Sequence, residues 1–301
     1  MDEMIVFRIC FTYFGEYPSS VKRCSEGIGN YVFRVECCGS RYIVRCSIEK
    51  NAYRETVYWL NELRKVQIPV PEVLEWGRTQ QYEYLILSYL EGHDIGLIYT
   101  NLTVDEKRMI AKELVQLQNR AALLKPKDIS SDWSWLSFVR DMLDRAEERI
   151  VKNGYFDKEK VEKLRIQAQK LDRYFAGIKP TTYLDDISSK NLLIHNGKIS
   201  GIIDVDWIGI GDKLTYVALT NVALLNLEFD TDYVTYILEE MQATDDQIKA
   251  FLFYSLMYCV DFMGERGMYF MDKKVEVNQQ VVDRLNRIYD MLWEHWCITQ
   301  E

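Results

Sequence analysis

The stretch that most limits how this chain can fold runs from Tyr183 to Asp206: Tyr-Leu-Asp-Asp-Ile-Ser-Ser-Lys-Asn-Leu-Leu-Ile-His-Asn-Gly-Lys-Ile-Ser-Gly-Ile-Ile-Asp-Val-Asp. Two short apolar runs, Leu192 to Ile194 and Ile199 to Ile203, flank the turn His195-Asn196-Gly197. Asn-Gly readily takes positive φ at both central positions of a tight hairpin, so the pattern predicts two antiparallel strands. Asp186 and Asn191 precede the first strand and Asp204 ends the second. The hairpin therefore gathers three oxygen-bearing side chains at its open end. Hard oxygen donors of this kind suit Mg²⁺, which binds few carboxylates and keeps places for phosphate oxygens. The plainer reading is a hairpin with incidental surface carboxylates, and the spacing of all three residues weighs against it.

Asp186-x-x-x-x-Asn191, with an aspartate closing the next apolar strand, is the spacing that kinases use. There the first Asp orients the acceptor hydroxyl, the Asn holds a metal, and the last Asp holds the metal at the phosphates. The segment resembles the catalytic region of the aminoglycoside phosphotransferase and choline kinase family. That family's usual wording is near His-Gly-Asp-x-x-x-x-Asn, then Ile-Asp-aromatic, then Gly-Asp. Ile202-Ile-Asp-Val-Asp-Trp-Ile-Gly-Ile-Gly-Asp212 fits the second half, while Leu184 and Asp185 stand where the family has His and Gly. The resemblance implies Asp186 as the catalytic residue, Asn191 and Asp204 as Mg²⁺ ligands, and ATP or GTP as phosphoryl donor. Tyr216 stands where the family often has a further aspartate, and Asp212 reads as a helix cap or loop anchor.

Composition narrows the class. With 301 residues, 48% hydrophobic and 28% charged, the chain can bury a sizeable core. A formal charge of −9 speaks against nucleic acid as a partner and is compatible with a cationic substrate. The seven cysteines (10, 24, 37, 38, 46, 259 and 297) are scattered and form no C-x-x-C pair. They read as reduced thiols rather than a disulfide framework or a zinc site. Three histidines far apart make a His-based metal centre improbable. The opening Met1-Asp-Glu lacks a signal-peptide layout, and the longest apolar run, Ala250 to Val260, stops at Asp261 short of a membrane span. A cytoplasmic location without membrane partners is expected.

Along the chain, strands are expected at Val21 to Ser25, Tyr31 to Cys37 and Arg41 to Cys46. Between the first two lies Ser25-Glu-Gly-Ile-Gly-Asn30, where Gly27 and Gly29 could bring backbone N–H groups close to phosphate, or close an ordinary hairpin. Strand alternation puts Arg41, Ile43 and Arg45 on one face and Tyr42, Val44 and Cys46 on the other. A helix follows at about 51–66, and Ile68-Pro-Val-Pro71 ends it. Two more strands are expected at Glu72 to Trp76 and Tyr82 to Leu87. By the resemblance, Arg45 takes the place of a phosphate-contacting lysine, Glu55 on the helix would reach it, and Gly27 and Gly29 would cover the nucleotide. Ser88-Tyr-Leu-Glu-Gly92 would be the hinge, where the nucleotide base would dock against backbone groups, Ser88 and Leu90 among them.

From Thr103 on, the reading is helical. Two capping boxes, Thr103-Val-Asp-Glu106 and Thr244-Asp-Asp-Gln247, open helices, and others are expected at about 135–153, 157–175, 214–227, 232–241 and 277–296. Glu228, Asp230, Asp232, Asp261 and Glu265 could face a cationic acceptor, or lie on solvated helix faces. The expected class is α+β, a two-lobed protein-kinase-like fold. Residues 1–88 form a small antiparallel N-lobe with one helix, and residues 89–301 form a larger helical lobe holding catalysis and the acceptor. The expected activity is γ-phosphoryl transfer to a hydroxyl of a small molecule. A pseudokinase-like module that holds nucleotide without transfer is the alternative, motivated by Leu184, Asp185 and Arg45.

Overall fold

The computed structural model describes residues 3–24, 31–270 and 273–299. Gly27 and Gly29 lie outside the described residues. The α+β, two-lobed arrangement expected from the sequence is the one observed.

The N-terminal lobe opens with helix α1 (Glu3–Phe14), then strands β1 (Ser20–Arg23), β2 (Tyr31–Cys37) and β3 (Ser40–Ser47), helix α2 (Arg54–Lys65), and strands β4 (Val73–Thr79) and β5 (Tyr82–Ser88). The strands form one antiparallel sheet in the order β1-β2-β3-β5-β4. Strand alternation sorts its two faces. Phe33, Val35, Val44, Cys46, Tyr82 and Ile86 pack under α1 against Ile5, Val6, Ile9 and Cys10. Ile43, Leu85 and Leu87 join the opposite core with Leu60 and Leu63 of α2. Arg45, on that second face, points to the cleft between the lobes and is only 7% exposed.

Helix α1 is a second helix in this lobe, and the sequence reading did not include it. Its residues are mostly strand formers; only the spacing Ile5-Val6-Ile9-Cys10 marks one helical face. The sheet supplies the apolar surface that decides the outcome.

The second lobe begins with β6 (His93–Asp94), the short helix α3 (Ile95–Ile98) and α4 (Val104–Ala121), whose N-terminus carries the full Thr103–Glu106 capping box. Next come α5 (Trp135–Asn153), α6 (Glu159–Ala168) and α7 (Asp172–Gly177). The single helix expected at 157–175 is thus divided, with a 3₁₀ turn at Gln169–Leu171. Four short strands follow: β7 (Thr182–Leu184), β8 (Leu192–His195), β9 (Lys198–Ile202) and β10 (Ile208–Ile210). The chain closes with α8 (Leu214–Asn226), α9 (Asp232–Glu240), α10 (Asp245–Glu265), the two-residue strands β11 (Tyr269–Phe270) and β12 (Lys273–Lys274), and α11 (Gln279–Ile298).

Helix α10 is the lobe's central post. It is buried continuously from Ala250 to Asp261 and packs against α5, α8 and α11. A helix that is apolar all round must be enclosed, and here other helices enclose it. Among the described residues no helix is long and apolar enough to cross a membrane.

Candidate active site

The β8–β9 hairpin forms as the Asn-Gly signal predicts. His195 pairs with Lys198, and Asn196 and Gly197 take φ of 51° and 72°. A second ladder, absent from the sequence reading, pairs β7 antiparallel with β10, Leu184 opposite Ile208. It clamps the base of the hairpin. Asp185 and Asp186 leave β7 where Asp206 and Trp207 enter β10, so the two ends of the catalytic segment lie side by side.

Asp186, Asn191 and Asp204 all sit in the left-handed region, at φ of 45°, 67° and 58°. Asn and Asp tolerate this backbone better than other non-glycine residues, and such residues cluster at functional sites. The Asn191 Nδ2 donates to the Asp186 carbonyl oxygen at 2.9 Å and to Asp186 Oδ2 at 3.4 Å. Its N–H donates to Asp94 Oδ1 at 2.8 Å, and its carbonyl accepts from the Ile203 N–H at 2.9 Å. Asn191 is thereby tied to Asp186 on one side and to the residue before Asp204 on the other. With Nδ2 turned to Asp186, the Asn191 Oδ1 and the Asp204 carboxylate are hard oxygens that fit a small divalent cation such as Mg²⁺.

Arg45 reaches this group from β3. Both of its terminal nitrogens bond the Asp206 carboxylate, Nη1 to Oδ1 at 3.0 Å and Nη2 to Oδ2, and Nη1 lies 3.6 Å from Asp204 Oδ1. Thr56 Oγ1 donates to Asp206 Oδ1 at 2.7 Å. The Tyr53 ring lies 5.5 Å from the guanidinium carbon, and the buried Nε has no hydrogen-bond partner. Burial alone would lower the Arg45 pKa, but Asp206 and Asp204 outweigh it and the net direction is upward.

Glu55 therefore does not meet Arg45. Both of its carboxylate oxygens lie 2.7 Å from Lys127 Nζ on the surface. The next residue, Thr56, is 2% exposed and faces the cleft instead. One position along a helix turns a side chain by about 100°. The partner that sequence order suggested on α2 is supplied by Asp206, two residues after Asp204 in the connection between β9 and β10.

The cleft between the lobes has a volume of about 240 Å³. Val32, Ile43, Leu60, Pro71, Leu87, Ile203 and Val205 give it apolar walls, and Arg45, Lys190, Asn191 and Asp204 line its polar end. Ser88 and Leu90 are not among the lining residues. Ser88 spends its N–H and Oγ on the Glu72 backbone, at 2.9 and 2.8 Å, and the Leu90 side chain packs over Gly201. Leu87, the residue before Ser88, lines the cleft.

Asp186 is open to solvent, yet the surrounding walls strip water from it. That desolvation, followed by the charges of Asp185 and Asp204, pushes its carboxyl up to about 6 against the opposing pull of Lys190. Asp204 is raised as well, by burial and by Asp206, with Arg45 opposing. Burial also raises Asp185, whose Oδ1 accepts from the Asp186 N–H at 3.0 Å.

The loop is held from behind by a residue that sequence reading missed. Gln118 of α4 is fully buried; its Oε1 accepts from the Leu184 N–H and its Nε2 donates to the Leu184 carbonyl, both at 2.9 Å. This bracket grips the backbone two residues before Asp186. Asp212 serves as an anchor: its carboxylate accepts from Tyr174, Tyr254 and the Leu214 N–H.

The acidic residues of the later helices are largely engaged elsewhere. Asp230 pairs with Lys107, Asp261 with Arg149 and Arg145, Glu265 with Arg149, and Glu228 with Arg284. None of these acids lines the cleft.

Residues 20–218 match the model of the family described as the phosphotransferase enzyme family. Among solved structures, the chain is similar to a thermostable mutant of the aminoglycoside phosphotransferase APH(4)-Ia in ternary complex with ADP and hygromycin B. The TM-score is 0.65 at 16% identity, covering 98% of this chain and 97% of that one. It is also similar to ADP-bound aminoglycoside phosphotransferase APH(2'')-Ib, with a TM-score of 0.67 at 13% identity over 98% of this chain and 99% of that one. At these identities the likeness shows the fold. No curated protein sequence matches the chain.

Proposed function

The chain belongs to the phosphotransferase enzyme family, and from that premise we propose that it moves the γ-phosphoryl group of ATP or GTP to a hydroxyl of a small molecule. The observation that carries this reading is that Asn191, Asp204 and Arg45 line the polar end of an apolar-walled cleft, with Asp186 bonded to Asn191 beside it and all three of Asp186, Asn191 and Asp204 in left-handed backbone. The structural relatives support the nucleotide, since one is ADP-bound and another holds ADP with hygromycin B.

In this proposal Asp186 orients the acceptor hydroxyl and accepts its proton as the oxygen attacks. A carboxyl held at about 6 is ionised at neutral pH and is a stronger base than an ordinary aspartate. Asn191 Oδ1 and Asp204 would hold Mg²⁺, which when bound neutralises charge on the phosphate oxygens. Arg45, oriented by Asp206 and Thr56, presents its remaining N–H donors to nucleotide phosphate. Gly27 and Gly29 cover the phosphates in the same scheme. The apolar walls, Leu87 among them, take the base. Asp185 and Asp186 make the acceptor side acidic, which suits an acceptor carrying positive charge. The lobes divide at 88/89, the nucleotide binding mainly to the first and the acceptor to the second. Among the described residues the cysteines form no disulfide, which fits a reducing, cytoplasmic setting.

The test is a thermal shift with MgATP and MgGTP on the wild type and on Asp204→Ala. Ligand binding to the native state raises the melting temperature by mass action. A rise in the wild type that disappears in the variant is expected, and which nucleotide gives it names the base. No rise with either nucleotide overturns the reading. The pseudokinase-like alternative is favoured by one observation, the engagement of Arg45 by Asp206. Under that alternative the shift would appear, but nucleotide would never be turned over with any acceptor.

A further inference from the structure

Away from the cleft, at the edge of the N-terminal lobe, the turn between β2 and β3 carries adjacent cysteines, Cys37 and Cys38, against the segment that joins α1 to β1. We propose that Cys37, Cys38 and Glu16 form a binding site for one thiophilic divalent cation of the Zn²⁺ class. This inference is independent of the phosphotransfer reading.

The geometry is close to what such an ion requires. The ligand atoms of the three residues all lie within 4.8 Å of one another. The two Sγ atoms stand 4.0 Å apart, and Cys37 Sγ stands 4.0 Å from Glu16 Oε1. On a tetrahedral zinc with Zn–S near 2.3 Å and Zn–O near 2.0 Å, two sulfurs stand about 3.8 Å apart and a sulfur and oxygen about 3.5 Å. Shifts of a few tenths of an ångström would bring the two printed pairs to these spacings, and at most about 1.3 Å would close the Cys38–Glu16 pair. The fourth position is left for water.

Two further features hold the cluster in place. The Cys38 N–H donates to Glu16 Oε1 at 2.7 Å, which fixes the carboxylate over the turn before any ion arrives. Cys38 and Gly39, at φ of 51° and 70°, are the two central residues of the tight turn that Cys37 and Ser40 close. That backbone turns its sulfur toward that of Cys37. Two thiols and one carboxylate select a borderline or soft cation over Mg²⁺. They also make binding compete with protons. Hydrogen bonding to Glu16, with a smaller loss of solvation, pushes Cys38 up to about 11, and burial raises Cys37. Each thiol must lose its proton to ligate, so M²⁺ enters as two H⁺ leave. The apparent affinity therefore falls about 100-fold for each pH unit lowered. The ion would clip the α1–β1 segment to the hairpin turn, at the end of β3 remote from Arg45.

The experiment titrates Co²⁺ and then Zn²⁺ into reduced protein, reading the thiolate-to-cobalt charge-transfer absorption and competition with a chromophoric chelator. Wild type is expected to bind one equivalent with that absorption, and Zn²⁺ to displace it. Cys38→Ser, an exposed position that leaves the fold intact, should abolish the band and weaken Zn²⁺ by more than about 100-fold. Cys37→Ser should do the same, Glu16→Gln should weaken binding by about tenfold, and the remote Cys297→Ser should change nothing. Absence of the band in wild type, its survival in Cys38→Ser, or its loss in Cys297→Ser would each overturn the proposal.

Discussion

Replacing Asp206 by Asn tests the contact that most distinguishes this cleft. The Arg45 side chain is 8% exposed and the Asp206 side chain 27%, so the guanidinium has little water to fall back on. Asparagine keeps the shape and an oxygen for Thr56, but it turns an amide toward a cation and removes the charge. Removing one partner of a fully buried ion pair costs about 3–5 kcal/mol. Here Asp206 is partly solvated and Asp204 remains at 3.6 Å, which reduces the expected loss to about 2–3 kcal/mol. For a chain of this length about 1 kcal/mol moves the midpoint by roughly 2 °C, so Asp206→Asn should melt about 4–6 °C lower. Arg45→Met removes the buried charge itself. Combined with Asp206→Asn, it should cost at least about 1 kcal/mol less than the sum of the two single losses. Urea unfolding of the four proteins reads both quantities. A single-mutant loss below about 0.5 kcal/mol, or strictly additive losses, would refute the claim that this pair holds Arg45 in place.

Asp186→Asn should preserve the nucleotide-dependent thermal shift while lowering turnover by about 10³-fold or more. In wild type, kcat/KM should fall as pH drops through about 6, because protonation removes the base. The stability sign runs the other way. A carboxyl raised in the folded state opposes folding once ionised, so Asp186→Asn should be the more stable protein at pH 7 and lose that advantage below about pH 4. A melting curve at each pH decides this. Gln118→Leu strands the Leu184 N–H and carbonyl in the core, costing about 2–4 kcal/mol in urea unfolding and reducing turnover more than nucleotide affinity. Glu55→Gln breaks only an exposed pair with Lys127; it should change stability by less than about 1 kcal/mol and leave the nucleotide-induced shift intact.

What could be read in advance follows from how local each signal is. The β8–β9 hairpin needs only an Asn-Gly turn and two apolar runs, and two capping boxes announce α4 and α10 within four residues each. The β7–β10 ladder has no such signature: three-residue strands more than twenty positions apart pair only because the hairpin between them brings them together. Helix α1 was hidden for a related reason, since Ile, Val, Phe and Cys prefer strands and a neighbouring sheet decides their state. The oxygen-bearing trio was visible because its spacing follows the hairpin. The setting of Arg45 was not, because whether Glu55 or Thr56 faces inward depends on the rotation of α2, and no residue of the helix fixes that by itself.

That rotation shapes how the cleft works. With the cation's partner on α2, Arg45 would be oriented wholly within the N-terminal lobe. With Asp206 as partner, β3 of one lobe is joined to the segment that follows Asp204 in the other. The cation and the carboxylate proposed to hold metal then share one anchor, and the pair spans the cleft. Engagement by Asp206 does not use up the guanidinium. Arginine carries five N–H donors; the two hydrogen bonds to Asp206 take one from each terminal nitrogen and leave the second N–H of each. A nucleotide phosphate can therefore bond Arg45 without displacing Asp206. The feature that favours a module without transfer is thus equally what would hold the cation, charged and oriented, beside Asn191 and Asp204.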